Sequence, residues 1–402
     1  MDRIVIIGGG QAACSLAARL RARDFAGSVT IIADEPVPPY QRPPLSKKYL
    51  LGEMDLERLF LRPESFYAEN DIDLRTGTRA LAIDRAERTV RLDDGTVAYD
   101  QLVLATGARP RRLPPEAGGH LEGVHVVRTL ADVDAMAPAF VPGARVLVVG
   151  GGYIGLEAAA VAAQRGLAVT LVEAAPRILQ RVASPETSAL FRELHQRHGV
   201  RLREGVSITR LEGEGRVQRA ILQDATTLEV DFVIVGIGVV PATELAEAAG
   251  ISVENGIRVD AMGRTSDPAI WAAGDCASFP WRGRRIRLES VQNAIDQAER
   301  VADNILGDAA PYDPVPWFWS DQYDVKFQMV GLPGDHDRTI ARRGERAGEI
   351  SHWYFRGAEL IGVDAMNFPR AYMIGKRLME AGQSPAPELV ADPDTDLRAL
   401  LG

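Results

Sequence analysis

Two sets of small residues carry the most specific chemistry in this chain. Gly8, Gly10 and Ala13 follow one short apolar run, and Gly150, Gly152 and Gly155 follow another. Asp34 and Glu173 each close the apolar run that comes next. At this spacing the first glycine permits a tight turn and the second lets the backbone approach a diphosphate. The third small residue lets a helix lie close to a strand. A diphosphate would then rest on the positive end of that helix, and the acid would hold ribose hydroxyls.

These motifs need a strand before them and a helix after them, and the pattern supplies both. Residues 3–7 are apolar, a helical Ala/Leu pattern covers about 11–23, and a second apolar run covers 29–33. The order returns as a strand at 145–149, a helix at 154–165 and a strand at 169–172. The repeat continues in DQLVLATGARP (100–110) and DFVIVGIGVVP (231–241), each with Gly seven residues and Pro ten residues after its Asp. Short alternating strands at about 72–99 and 200–230 precede these segments and predict an antiparallel insertion in each half. The Pro/Gly-rich stretch 108–119 reads as a hinge. A strand at 270–273 runs into Gly274-Asp275, and a helix is expected over about 290–306. Alternation at 325–330, 350–355 and 359–363 predicts an antiparallel sheet, with a helix at about 369–381.

The segment Pro39-Tyr40-Gln41-Arg42-Pro43-Pro44-Leu45-Ser46-Lys47 is held extended by its prolines. The order of glycine motif, RPPLSK, ATG, second glycine motif and GD, with Glu289-Ser290-x-x-Asn293 and Trp317-Phe318-Trp319-Ser320-Asp321-Gln322, resembles the FAD-dependent NADH:ferredoxin reductases of bacterial oxygenase systems, the putidaredoxin reductase-like family. The resemblance covers essentially the whole chain. RPPLSK and WFWSDQ are its specific parts, since glycine motifs occur in a much wider flavoprotein group.

The resemblance implies an α/β protein with two Rossmann-like dinucleotide-binding domains, a glutathione-reductase-like fold, plus a C-terminal α+β domain. FAD would occupy residues 1–109 and 242–314, NADH residues 110–241, and residues 315–402 would form the C-terminal domain. FAD would be held by Gly8, Gly10, Ala13, Asp34, Arg42, Lys47, Ala105, Thr106, Gly107, Asp275 and the helix start at Val291. NADH would be held by Gly150, Gly152, Tyr153, Ile154, Gly155, Glu173 and Gly238. Lys47 would lie beside the flavin ring, with Glu157 facing it where nicotinamide stacks. Trp319 would mark the flavin edge. Arg282, Arg284, Arg285 and Arg287 would steer an acidic [2Fe-2S] ferredoxin into place, itself serving a cytochrome P450 or Rieske oxygenase. Glu173 favours NADH because a carboxylate there repels a 2′-phosphate. Arg177, close by, reads as a solvated surface residue.

Several classes are excluded. The formal net charge of −9 over 402 residues argues against a nucleic-acid binder. The start MDRIVIIGGG enters a strand directly, and no apolar run approaches the ~20 residues that span a bilayer, so a cytoplasmic protein with no membrane partner is expected. There are two cysteines, Cys14 and Cys276, and neither has a near partner. Ser46 stands in the segment where thiol-dependent relatives of this fold carry cysteine. Electrons would therefore leave the flavin directly. His195 and His198 lie one helical turn apart without a third ligand, so no metal site is expected and an exposed helix face is read there. The readings that compete are a rubredoxin reductase or NADH oxidase of the same fold, and a redox-switch flavoprotein like apoptosis-inducing factor.

Overall fold

The computed structural model describes residues 2–401. The chain forms two compact units. One takes the chain up to Arg42, Met54–Arg109 and Val239–Pro314; the other takes Pro43–Glu53, Pro110–Gly238 and the chain from Val315 onward.

The first unit is built on a five-stranded parallel sheet, in the order Ile270–Ala272, Gln101–Leu104, Arg3–Ile7, Ser28–Ile32, Ile72–Arg75. Its central strands Gln101–Leu104, Arg3–Ile7 and Ser28–Ile32 are mostly Val/Ile/Leu and buried, as a sheet covered on both faces requires. The helices Gln11–Ala22 and Val291–Ile305 pack together through Ala13, Ala17, Ala294, Ala298 and Ala302 in one buried cluster. Small side chains at these positions let the two backbones approach closely.

The second unit repeats the plan, in the order Arg201–Glu204, Ala168–Glu173, Arg145–Val149, Phe232–Val235, Val124–His125, all parallel. The repeated aspartate has a local purpose. Asp100 accepts from the Arg3 amide at 3.0 Å and from its guanidinium at 2.8 Å, and Asp231 accepts from the Arg145 amide and guanidinium, both at 2.7 Å. Each acid pins the start of the neighbouring central strand.

The expected antiparallel insertions are smaller than their sequence suggests. Ile72–Arg75 and Arg201–Glu204 extend the parallel sheets as edge strands. Only Ala80–Asp84, Thr89–Leu92 and Thr96–Ala98 form the antiparallel set in one half; Ile208–Glu212, Arg219–Leu222 and Thr227–Glu229 form it in the other. Within the 108–119 stretch, Ala108–Pro110 is a short strand and Pro115–Ala117 a single tight turn.

The second unit also contains a five-stranded antiparallel sheet, in the order Trp317–Gln322, Val325–Gly331, Glu359–Met366, Ile350–Arg356, Arg338–Arg343. The helix Pro369–Glu380 buries Ala371, Ile374 and Leu378 against Trp353, Phe355 and Val363 of this sheet. Among the described residues, no helix is long and apolar enough to cross a membrane.

Candidate functional site

The two glycine turns are built alike. Gly8 has φ +132° and its amide donates to the Ile32 carbonyl at 2.9 Å; Gly150 has φ +105° and donates to Val172 at 2.8 Å. A Cβ on Gly8 would lie 2.1 Å from the Ala105 carbonyl oxygen, and one on Gly150 would lie 2.3 Å from that of Gly236. No side chain fits either position, in torsion or in space. The contacts also show why the segments 105–107 and 236–238 recur: each lies against its own glycine turn.

Gly10 and Gly152 occupy the N-cap positions of the helices Gln11–Ala22 and Tyr153–Gln164 without a side-chain cap. A Cβ at either would meet nothing within 4 Å. Three other helices are capped by side chains, at Thr129, Ser184 and Ser290, whereas Glu64–Glu69 and Pro369–Glu380, among others, are not. An uncapped helix start presents N–H donors and the positive end of the helix dipole. Both starts fit a dinucleotide diphosphate. Ala13 and Gly155 are buried one turn into these helices, while Ile154 stays 43% exposed at the second turn.

The acids behave differently. Asp34 is exposed at the end of its strand. Glu173 accepts from the Gly151 amide at 2.6 Å and the Ala175 amide at 2.7 Å, so it braces the second glycine turn. Arg177, expected to be solvated, instead is half-buried and donates to the Ser188 hydroxyl at 2.6 Å and to the Ser184 carbonyl. Burial lowers its pKa.

In the first unit, Arg42 donates to Glu35 at 2.6 Å and to the Tyr40 hydroxyl at 3.1 Å. Burial works against its charge, but Tyr40, Glu35 and Asp275 outweigh that, and its pKa is raised. Thr106 donates to the Ala242 carbonyl at 2.6 Å, beside Gly107. Gly274 donates to Gln297 at 2.8 Å, ahead of half-buried Asp275. Val291 opens its helix after Ser290, whose hydroxyl accepts from Asn293. That single bond leaves other first-turn N–H groups for a partner.

In the second unit, Lys47 and Glu157 meet at 2.9 Å. Glu157 is only 3% exposed on the helix that starts after Gly152. Its carboxylate takes two further donors, the Ser46 hydroxyl on Oε2 and the Ser320 hydroxyl on Oε1, each at 2.7 Å. A buried carboxylate is stable only with such compensation. Lys47 keeps 16% exposure. Ser46 and Ser320 are contacts that residue type and spacing do not announce. Their only signal is their place inside RPPLSK and WFWSDQ, the two most specific motifs. The Tyr153 ring packs tilted against Phe318, centroids 4.8 Å apart, and its hydroxyl donates to the Met329 thioether at 2.8 Å; burial raises its pKa well above the usual tyrosine range. Trp319 lies on the opposite face of the strand from Ser320, 5.7 Å from Trp317. Gly238 caps the equivalent of the ATG turn and its carbonyl accepts from Arg111.

The four arginines split into two kinds. Arg282 and Arg284 are exposed and lie over the Trp281 ring at 4.9 and 5.3 Å. Arg285 donates to the Val259 and Ser278 carbonyls, and Arg287 to the Asp275 carbonyl and to Glu289.

Both thiols are buried. Cys14 accepts from Tyr67, Cys276 donates to the Leu104 and Ala273 carbonyls, and burial pushes both pKa values up. His195 does not lie on an exposed face. It is fully buried, bonded to Gln322 at 2.8 Å, because its helix turns that side onto the antiparallel sheet. Among the described residues, no group of three His, Cys, Asp or Glu is placed to hold a metal.

The family profile described as pyridine nucleotide-disulphide oxidoreductase matches residues 2–298, and that described as reductase C-terminal matches residues 317–401. Rhodocoxin reductase of Rhodococcus erythropolis is 42% identical over 402 residues, covering 99% of this chain and 94% of that protein. The ferredoxin–NAD(+) reductase component of the anthranilate 1,2-dioxygenase system of Burkholderia cepacia is 42% identical, covering 100% of this chain and 99% of that protein. The crystal structure of the covalent putidaredoxin reductase–putidaredoxin complex superposes with a TM-score of 0.96 at 40% identity, covering 100% of this chain and 98% of that one.

Proposed function

Because this chain belongs to the pyridine nucleotide-disulphide oxidoreductase family, we propose that it is an FAD-dependent NADH:ferredoxin reductase, taking hydride from NADH and delivering single electrons to a [2Fe-2S] ferredoxin. That ferredoxin would serve a cytochrome P450 or a Rieske oxygenase, and the chain would work in the cytoplasm. One observation carries the reading: the buried Glu157 carboxylate holds Lys47 on one side and Ser46 on another, in a segment that contains no thiol. The site is built to hold charge and has no sulfur relay.

When bound, FAD supplies the conversion from two-electron to one-electron chemistry. The chain's own contribution is positioning and electrostatics. Gly8, Gly10, Ala13, Asp34, Arg42, Ala105, Thr106, Gly107 and Asp275 would hold FAD. Gly150, Gly152, Tyr153, Ile154, Gly155, Glu173 and Gly238 would hold NADH. Lys47 would set a positive charge beside the flavin ring, with Glu157 fixing its place. The N–H groups at Val291 would face the flavin pyrimidine, where reduction builds negative charge. Trp319 would mark the electron exit. Arg282 and Arg284 would form the docking side, while Arg285 and Arg287, read from the sequence as part of it, would hold its backbone through the Val259, Ser278 and Asp275 carbonyls. FAD would belong to residues 1–109 and 242–314, NADH to 110–241, with 315–402 as the C-terminal domain.

The test is turnover of the FAD-loaded protein with NADH on a [2Fe-2S] ferredoxin, a rubredoxin and dioxygen. Ferredoxin should be reduced fastest by at least about ten-fold. Faster turnover on rubredoxin or dioxygen would reassign the acceptor, and protein that cannot bind FAD would overturn the reading.

A further inference from the structure

We propose that Ser320, Gln322 and His195 are positioning residues that fix the Glu157 carboxylate, and through it the Lys47 ammonium, by a single hydrogen-bonded chain. The Tyr323 hydroxyl donates to His195 Nδ1 at 3.2 Å. His195 Nε2 donates to Gln322 Oε1 at 2.8 Å. Gln322 Nε2 donates to the Ser320 hydroxyl at 3.1 Å, and Ser320 donates to Glu157 Oε1 at 2.7 Å.

The direction of every bond is set by the charge at one end. A carboxylate paired with Lys47 only accepts, so Ser320 must donate to it. Ser320 has one hydrogen, so its oxygen is left to accept, which turns the amide nitrogen of Gln322 toward it. The amide oxygen then faces His195 and requires the Nε2–H tautomer, which leaves Nδ1 to accept from Tyr323. All four dipoles point their positive ends at Glu157, and bonds aligned in series polarise one another.

The fold puts these groups where solvent cannot compete. Ser320, Gln322 and His195 are buried, and the chain surfaces only at half-buried Tyr323, which stacks on His198 at 3.7 Å. Ser320 and Gln322 are two apart on one strand and so share a face. His195 comes from the buried side of the helix Pro185–Arg197, beside Phe191 and Leu194. The chain orients and does not conduct protons, because an amide would have to pass through its imidic acid to relay one.

The inference rests on the reading of Lys47 and Glu157 given above, and the variants separate the two. FAD-loaded wild type, Lys47→Ala, Ser320→Ala, the double variant, His195→Phe and His195→Gln are compared by stopped-flow reduction with NADH and by the midpoint potential of the bound flavin. Ser320→Ala should lower the limiting reduction rate about ten-fold, leave the NADH dissociation constant within roughly two-fold, and shift the potential in the same direction as Lys47→Ala. In the Lys47→Ala background it should add less than about two-fold, because it acts only through that pair. His195→Phe should shift rate and potential the same way, and His195→Gln, which keeps a donor, should restore both. Full multiplication of the Ser320 and Lys47 effects, or an unchanged potential in His195→Phe, would overturn the chain. An unchanged rate in Lys47→Ala would overturn the reading beneath it as well. If Ser320→Ala fails to retain FAD, the two His195 variants carry the same decision from the far end.

Discussion

The Ser46 hydroxyl donates to Oε2 of Glu157 at 2.7 Å, across 111 positions of sequence. Lys47, the next residue, holds the same carboxylate by Oε1. Ser46, the last residue of the short turn Pro43–Ser46, and its neighbour Lys47 thus grip a single helix residue from two sides. The hydroxyl is committed to structure, and the neighbouring ammonium is left at a set position.

Ser46→Ala should therefore destabilise the protein by about 1–3 kcal/mol, the cost of leaving a buried acceptor without its donor. Denaturant titration of the apo- and FAD-loaded protein would show it. A change below about 0.5 kcal/mol would mean that Glu157 finds another donor.

Lys47→Ala should slow flavin reduction by NADH at least about ten-fold, the scale of one lost charge–dipole contact in an ordered site. It should also destabilise the fold by about 3–5 kcal/mol, since Glu157 is buried and would lose its counter-charge. Stopped-flow reduction and thermal melts read the two effects separately.

Glu173→Gln should weaken discrimination against NADPH at some cost to the turn, because the new NH2 group would face one of the two backbone amides that the carboxylate now accepts from. The amide oxygen can still accept one of the bonds now made to Gly151 and Ala175, but the negative charge is gone. The ratio of kcat/KM for NADH over NADPH should fall about ten-fold; an unchanged ratio would place specificity elsewhere.

Buried Asp364 gives the protein a pH-dependent cost. Burial raises its pKa to about 7, against bonds from Tyr354 and Thr187 that lower it. The folded state holds this proton more tightly than the unfolded chain, so the stability Asp364 contributes is present at low pH and lost as pH rises toward 7, by up to about 1.4 kcal/mol per pH unit. His195 and His352 work the other way. Burial lowers both to about 4, so each favours the folded state above the ordinary histidine range and costs stability as pH falls toward 4. Asp364→Asn should leave stability near pH 4 little changed and raise it increasingly as pH climbs toward neutral. Urea titrations at four pH values would test this; a constant difference would refute it.

Arg282→Glu with Arg284→Glu should raise the KM for ferredoxin about ten-fold at low salt, with the difference shrinking as salt rises. NADH–ferricyanide activity should not change. Arg285→Ala and Arg287→Ala should instead lower the melting temperature, because these side chains satisfy the Val259, Ser278 and Asp275 carbonyls. The opposite pattern would reverse the two assignments.

The sequence by itself determined the two glycine turns, the strands and helices around them, and the duplication that relates the halves. Those are short-range properties: a turn that needs φ above zero, a helix start without a cap and a strand of apolar residues are each written within about thirty positions. It also carried RPPLSK and WFWSDQ as linear motifs. Only the tertiary structure decided which partners those motifs meet. Ile72–Arg75 and Arg201–Glu204 alternate like hairpin strands, yet they join parallel sheets, since pairing depends on a free edge elsewhere. His195 has the spacing of an exposed helical pair with His198, but the antiparallel sheet covers it. Four arginines within six residues have the look of one charged surface, yet backbone carbonyls claim two of them. Glu157 gathers Ser46, Lys47 and Ser320 from 111, 110 and 163 positions away. No local pattern encodes such a meeting, because the drive for it is the cost of burying a charge, and that cost exists only once the chain has folded around it.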